Sequence, residues 1–221
     1  TLLTSWPFFA VAYSIYGLAQ LCLNSFQTSA EGISTSDSTA SWSKRLRDPT
    51  WWMQLALPLY MLHQYEEYGL DIKFRHFYFN NTMCSKLACS PLSGFSNMDV
   101  CTIRPWHLTF INLGLVCFAA LRCRYDAARA GANFYGLASA NAFVHFIPAV
   151  IDSRGGREGY NPGLLSAIFL LLPCGWMALR SLYMRRVVTG FGVARAVILG
   201  VVGHLALFVG LYLRSRDKIG D

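Results

Sequence analysis

Six long apolar runs, each near the roughly 20 residues that a helix needs to cross the hydrocarbon core of a bilayer, alternate with short basic clusters in this chain of 221 residues. They lie at about 2–23, 51–70, 106–121, 134–151, 163–182 and 193–213. Soluble domains carry roughly 25% charged residues, whereas this chain has 14%, with 54% hydrophobic residues and a mean hydropathy of +0.34. An ordinary soluble globule is excluded on that ground. Disordered and nucleic-acid-binding tails need more charge and fewer aromatics. Strand-like alternation is absent over any useful length, so a membrane barrel is not expected. The expected fold class is all-α: a polytopic transmembrane helix bundle of about six spans, forming one transmembrane domain over residues 1–221.

The net charge is +7, with arginine well in excess of lysine. The basic residues cluster between the apolar runs, at Lys44 to Arg47, Arg122 to Arg124, Arg154 to Arg157, Arg185-Arg186 and Arg214 to Lys218. That is the placement of membrane-flanking anchors, so the expected partner of this charge is the lipid headgroup region and not nucleic acid. Both faces carry a similar load of Lys and Arg, which leaves the sidedness open. A polar segment at 71–105 is too long for a simple turn and is expected to cap one end of the bundle. It holds Cys84, Cys89 and Cys101, disulfide candidates if that face meets an oxidising compartment.

The polar residues inside the apolar runs are the informative ones. A carboxylate within a span is costly and needs a partner. His63 stands three and four residues before Glu66 and Glu67, so both carboxylates flank its helical face. Asn141 and His145 are four apart and share a face of the fourth run. Alternating span direction brings His63 to Glu67, His145, the Trp106-His107 start of the third run, and Gly159-Tyr160-Asn161-Pro162-Gly163 to one level near one face. His204, alone in the last run, reads as a satisfied packing histidine.

His63-x-x-Glu66-Glu67, Asn141-Ala142-x-x-His145 and Gly159-x-x-Pro162-Gly163, in that order across residues 63 to 163, resemble the HXXEE family of integral membrane proteins. The family is uncharacterised, so the resemblance implies a membrane bundle with a shared polar site and no particular reaction.

The residues themselves offer three chemistries. The set His63, Glu66, Glu67 and His145 can ligate Zn, Fe or Mn, with Asn141 orienting a ligand or a water and His107 a further candidate ligand. A metal so held would serve a hydrolase or lipid-modifying enzyme. Alternatively, Glu66 or Glu67 acts as the catalytic acid without a metal. In the third reading the same residues form a hydrogen-bond network that fixes helix packing. For the whole chain the leading expectation is an accessory subunit of a larger organellar membrane complex of the respiratory kind, in contact with other membrane-protein subunits. The Arg-over-Lys bias fits an imported protein of the mitochondrial inner membrane, and the start at Thr1 suits either a processed precursor or a trimmed chain; the endoplasmic reticulum or another organelle membrane is the alternative. The competing expectation is a stand-alone, metal-dependent membrane enzyme built on the same site.

Overall fold

The computed structural model describes residues 2–23, 42–76, 105–156 and 158–217. These residues form seven helices and no β-strand. We number them α1 (Leu2–Cys22), α2 (Trp42–Arg45), α3 (Pro49–Gln64, continued by a wide π-helical turn over Tyr65–Gly69), α4 (Pro105–Thr109 through Cys117–Arg122), α5 (Ala127–Gly131 and Ala132–Arg154), α6 (Leu164–Ser166 through Leu172–Met184) and α7 (Gly190–Asp217). Cys84, Cys89 and Cys101, and with them most of the expected 71–105 cap, lie outside the described residues.

Local sequence explains where the helices start. Asp48 accepts a hydrogen bond from the Thr50 N–H at 2.9 Å, and Pro49 follows at the first helical position, where its missing N–H costs nothing. Asp126 caps α5 in the same way, accepting from the Arg129 N–H. α6 begins after Gly163, whose φ of 89° lies in the left-handed region that favours glycine.

α3 is the buried helix of the bundle, with nearly every residue from Trp52 to Gln64 buried. It packs on α1, where the Ser14 hydroxyl donates to the Pro58 carbonyl at 2.8 Å. It is tied to α5 by Tyr135, whose hydroxyl donates to the Trp52 carbonyl. α5 in turn packs on α6 and α7. The α5–α7 crossing is close because it is made of glycine: a Cβ on Gly136 would stand 2.3 Å from the Ala196 carbonyl oxygen, and one on Gly200 2.6 Å from that of Gly136. Small residues at a crossing let two backbones approach where apolar burial supplies no driving force between helices.

Among the described residues, three helices are long and apolar enough to cross a membrane: Ala127–Arg154, Leu164–Met184 and Gly190–Gly210. The remaining three expected spans, on α1, α3 and α4, are not among these three; the apolar part of α4, Trp106–Arg122, is shorter. The chain is therefore a helical protein with the character of a membrane protein. Phe169, Trp176, Phe191 and Leu205 turn their apolar surface outward from these helices.

At the end of α3 the chain is clamped to the α5–α6 connection by charge. The Arg75 guanidinium pairs with Asp71 at 2.7 Å and with Glu158 at 3.2 Å, and Lys73 reaches Glu158 at 2.9 Å. Burial pushes the Asp71 carboxyl up, but the Arg75 N–H and guanidinium and the Lys73 N–H outweigh it and hold it below its ordinary value. The Lys73 ammonium, helped by Arg75, likewise lowers Glu158 against its slight burial. Depressed carboxyl pKa values contribute stability that is full above the ordinary value of about 4 and is lost as pH falls through the lowered one. The thermal midpoint is thus expected to fall on acidification below about pH 4, and less so in Arg75→Ala, where the clamp is already gone; melting curves from pH 6 to pH 2.5 check this.

Candidate metal centre

Ligands from two helices meet at one buried point. α3 supplies His63 and, from its wide turn, Glu67; α5 supplies His145. These side chains are 1%, 6% and 2% exposed. His63 Nε2 lies 3.4 Å and His145 Nε2 3.0 Å from the same oxygen, Oε1 of Glu67. One ligand atom from each residue lies within 4.8 Å of the other two. Donors that share an ion tetrahedrally at about 2.0–2.2 Å stand about 3.3–3.6 Å apart; the two edges to Glu67 are close to that, and the two imidazoles, within 4.8 Å of each other, would draw together around a zinc-like ion.

The hydrogen bonds around the centre decide which atoms can bind a cation. Asn161 donates its Nδ2–H to the His145 carbonyl at 3.0 Å, which fixes Oδ1 as the amide's other end. That oxygen lies 2.6 Å from His145 Nδ1, so Nδ1 carries the proton and donates it. In the neutral ring, Nε2 then presents a lone pair to a carboxylate oxygen. Two acceptors at 3.0 Å need something positive between them, either a proton or a metal ion. The other Glu67 oxygen, Oε2, accepts from Gln64 Nε2 at 2.6 Å, which leaves Oε1 as the free ligand oxygen. His63 follows the His145 pattern: Nδ1 is 2.9 Å from Ser166 Oγ, and that hydroxyl can donate onward to the Gly163 carbonyl at 3.3 Å. Locking the far ring nitrogen in this way is how proteins orient metal-binding imidazoles.

Asn141 stands between two imidazoles, 2.7 Å from His63 Nε2 and 3.0 Å from His204 Nε2. His204 Nδ1 lies 2.8 Å from the Gly200 carbonyl, which can only accept, so a neutral His204 has its proton on Nδ1 and a lone pair on Nε2. The ends of an amide are told apart by their partners. The amide stands with Nδ2 toward His63 and Oδ1 toward His204; a neutral His204 calls for it turned end for end, with Nδ2 on the His204 side and Oδ1 toward His63. With a cation in place, that oxygen is a fourth donor or an anchor for a water. Without one, it accepts a proton from His63 Nε2, the ring then being the other tautomer, with Nδ1 accepting from the Ser166 hydroxyl. His204 thereby sets the direction of Asn141. His204→Phe is expected to weaken metal binding by roughly 10–100-fold, the usual cost of losing an outer partner, as measured by competition with a chromophoric chelator.

Gly163 forms the floor. A Cβ there would meet Glu67 Cγ at 2.6 Å, His145 Cε1 at 2.7 Å and His63 Cε1 at 3.0 Å. Glu66, adjacent to Glu67, is turned away from the centre. It accepts from the N–H groups of Leu165 and Ser166 at 3.1 and 2.6 Å and from the Tyr160 hydroxyl at 3.1 Å, so it caps the N-terminus of α6. His107 stacks on Trp106 at the start of α4 and is not one of the gathered ligands. The spacing arguments thus bring together His63, Glu67, His145 and Asn141. They missed Asn161, Ser166, Gln64 and His204. Of these only Asn161 carried a sequence signal, its place inside the Gly159–Gly163 motif.

Beside the centre is a cavity of about 280 Å³ between α3, α4, α5 and α7. Its inner wall holds His63, Glu67, His145, Asn141 and His204, and the rest is mainly apolar. A second polar group faces it from α3 and α4, where Tyr60 donates to Asn112 Oδ1 at 2.6 Å and Asn112 Nδ2 donates to the Tyr68 hydroxyl at 3.1 Å.

Fold and site together define a helical protein of membrane character with a buried His–Glu–His centre between its helices. Residues 54–178 match the family described as "Protein of unknown function with HXXEE motif", and the chain belongs to that family. No curated protein and no solved structure matches it. The match takes in the whole centre except His204, which lies beyond its end.

Proposed function

We propose that this protein is a membrane-embedded, metal-dependent hydrolase of lipid-like substrates. The observation that carries the reading is the convergence of His145 Nε2 and His63 Nε2 on Glu67 Oε1, with the far side of each ring hydrogen-bonded and the near side opening on a cavity. Three protein ligands with one position open to substrate is the pattern of catalytic rather than structural zinc. Zinc suits two imidazoles and a carboxylate, and iron or manganese would be accepted by the same donors. A bound ion would supply Lewis acidity for a carbonyl or a water. The chain's own residues do the rest. Asn161 and Ser166 hold the two rings in orientation, Gln64 directs Glu67, Asn141 positions a water, and the apolar walls exclude bulk solvent.

Six spans remain our reading of the topology. α3 is covered by other helices, so it needs no apolar outer face, and α1 and α4 turn Phe9, Ile15, Phe110 and Phe118 outward. The arginine bias favours the mitochondrial inner membrane.

A second reading, an accessory subunit of a larger membrane complex, is favoured by the outer side of α7. Little of its span is buried within the protein, and Val201, Leu205 and Val209 are open to lipid or to another chain. One experiment separates the two. The protein is purified in detergent, its metal content and native mass are measured, and release of fatty acid from a fluorogenic acyl ester is followed with and without chelator. The hydrolase reading expects about one metal per chain, a small particle, and chelator-sensitive release that is absent in His63→Ala. A metal-free chain that purifies only within a large assembly and releases nothing supports the subunit instead.

A further inference from the structure

We infer that the cavity between α4 and α7 is the binding site for the single apolar chain of a lipid amide or ester, which enters sideways from the bilayer. The lining names the direction of entry. Leu115 of α4 and Gly203 of α7 line the cavity and are also exposed on the outer surface, so the space opens between these two helices. Gly203 lies within the Gly190–Gly210 stretch that is apolar and long enough to cross a membrane, so the mouth faces hydrocarbon and not water. Behind it the walls are Ile111, Val116, Leu207 and Phe208. The volume of about 280 Å³ lies at the lower edge of the roughly 300–1,000 Å³ typical of ligand pockets. That space takes part of one chain, its tail remaining in the mouth, and not the body of a two-chain phospholipid.

Polar groups at the inner end name the head. Gln64 is 1% exposed and lines the cavity, and its Oε1 has no hydrogen-bond partner. A buried, unpaired acceptor is unfavourable, and a donor on the ligand would satisfy it. An amide N–H, or a hydroxyl on the alcohol part of an ester, provides that donor; a hydrocarbon or a plain alkyl ester does not. The Tyr60–Asn112–Tyr68 string stands at the same level and offers further polar contacts to the head. A chain in the α4–α7 gap with its head at Gln64 brings the carbonyl of an amide or ester to the His–Glu–His centre. This substrate assignment rests on the proposed metal centre only for its chemistry; the cavity and its mouth are independent of any metal.

The test uses N-methyl palmitamide bearing a mid-chain diazirine as probe, with the full chain in phosphatidylcholine nanodiscs. Light-induced adducts are mapped by mass spectrometry, and metal content and thermal midpoint are measured on the same samples. Adducts are expected on Leu115, Leu207 and their neighbours inside the gap. A Cβ at Gly203 has only Leu137 Cδ1 near it, at 4.0 Å, so a larger side chain there has room to enter the cavity. Gly203→Phe is expected to lower adduct yield by roughly tenfold, which corresponds to about 1.4 kcal/mol, with metal content and midpoint kept. Leu115→Trp closes the mouth from the other side and gives the same loss; Gly203→Ala does not. Adducts confined to outward residues such as Leu205 and Val209, or unchanged by both blocking variants, overturn the assignment. The two readings fail separately: a metal-free protein still labelled in the gap would remove the metal centre and keep the lipid site, whereas a metal-loaded protein without gap labelling would do the reverse.

Discussion

Gly163→Ala is expected to cost about 2–5 kcal/mol of stability and to empty the metal centre, though residue 163 offers no ligand atom. Two effects combine. The φ of 89° puts a Cβ in the left-handed region, at roughly 1–2 kcal/mol. The added methyl then collides with Glu67, His145 and His63 together, and overpacking of that kind costs about 1–3 kcal/mol. The obstacles are the ligands themselves, so relief comes only by moving them apart. A lower thermal midpoint and loss of metal in the same sample are the expected outcome. Full metal content in a stable Gly163→Ala protein would show that the floor of the site lies elsewhere.

Glu67→Gln is the second large effect. The substitution keeps shape and burial, yet it removes the single oxygen that both imidazoles face and the only negative charge among the gathered ligands. Without a cation, the wild-type carboxylate is buried against two imidazole edges and must share a proton with them, because an unpaired buried charge is costly. If the centre is a metal site, the glutamine variant loses metal affinity by roughly a hundredfold or more, beyond the 10–100-fold cost of an outer partner, and the metal-free protein becomes no less stable than metal-free wild type. If the residues form only a proton-sharing network, Glu67→Gln leaves metal content at zero in both proteins and shifts only the thermal midpoint. Asn161→Ala refines the comparison: it frees His145 to place its proton on Nε2 and should weaken binding by roughly tenfold.

Much of the centre was legible before the structure. The spacing of His63 and Glu67 places both on one face of a helix, and that of Asn141 and His145 does the same, because both pairs sit inside regular helix or close to its end. The division of labour between Glu66 and Glu67 was not legible. Adjacent carboxylates are equivalent to a helical count, and it is the wide turn over Tyr65–Gly69 that sends one to the imidazoles and the other to the start of α6. His204 was hidden for a different reason. A lone histidine in a 28-residue helix has no local side-chain partner; only the close crossing at Gly136 and Gly200 brings it to Asn141. The span count suffers from the same burial. α3 is enclosed by its neighbours and carries Gln54, His63 and Gln64 within the protein, so its burial does not show in its hydropathy.

The family match covers the three motifs, and each contributes a separate part of the centre. The first supplies two ligands, the second one ligand and its Asn companion, and the third a floor and an orienting amide. X-ray absorption at the metal edge of purified, zinc-supplemented protein tests this arrangement most directly. The spectrum expected is that of two imidazole nitrogens and one or two oxygens at about 2.0–2.2 Å, without sulfur, and the imidazole signal should be halved in His145→Ala. A protein that takes up no metal, or one whose metal is held by cysteine sulfur, would contradict it.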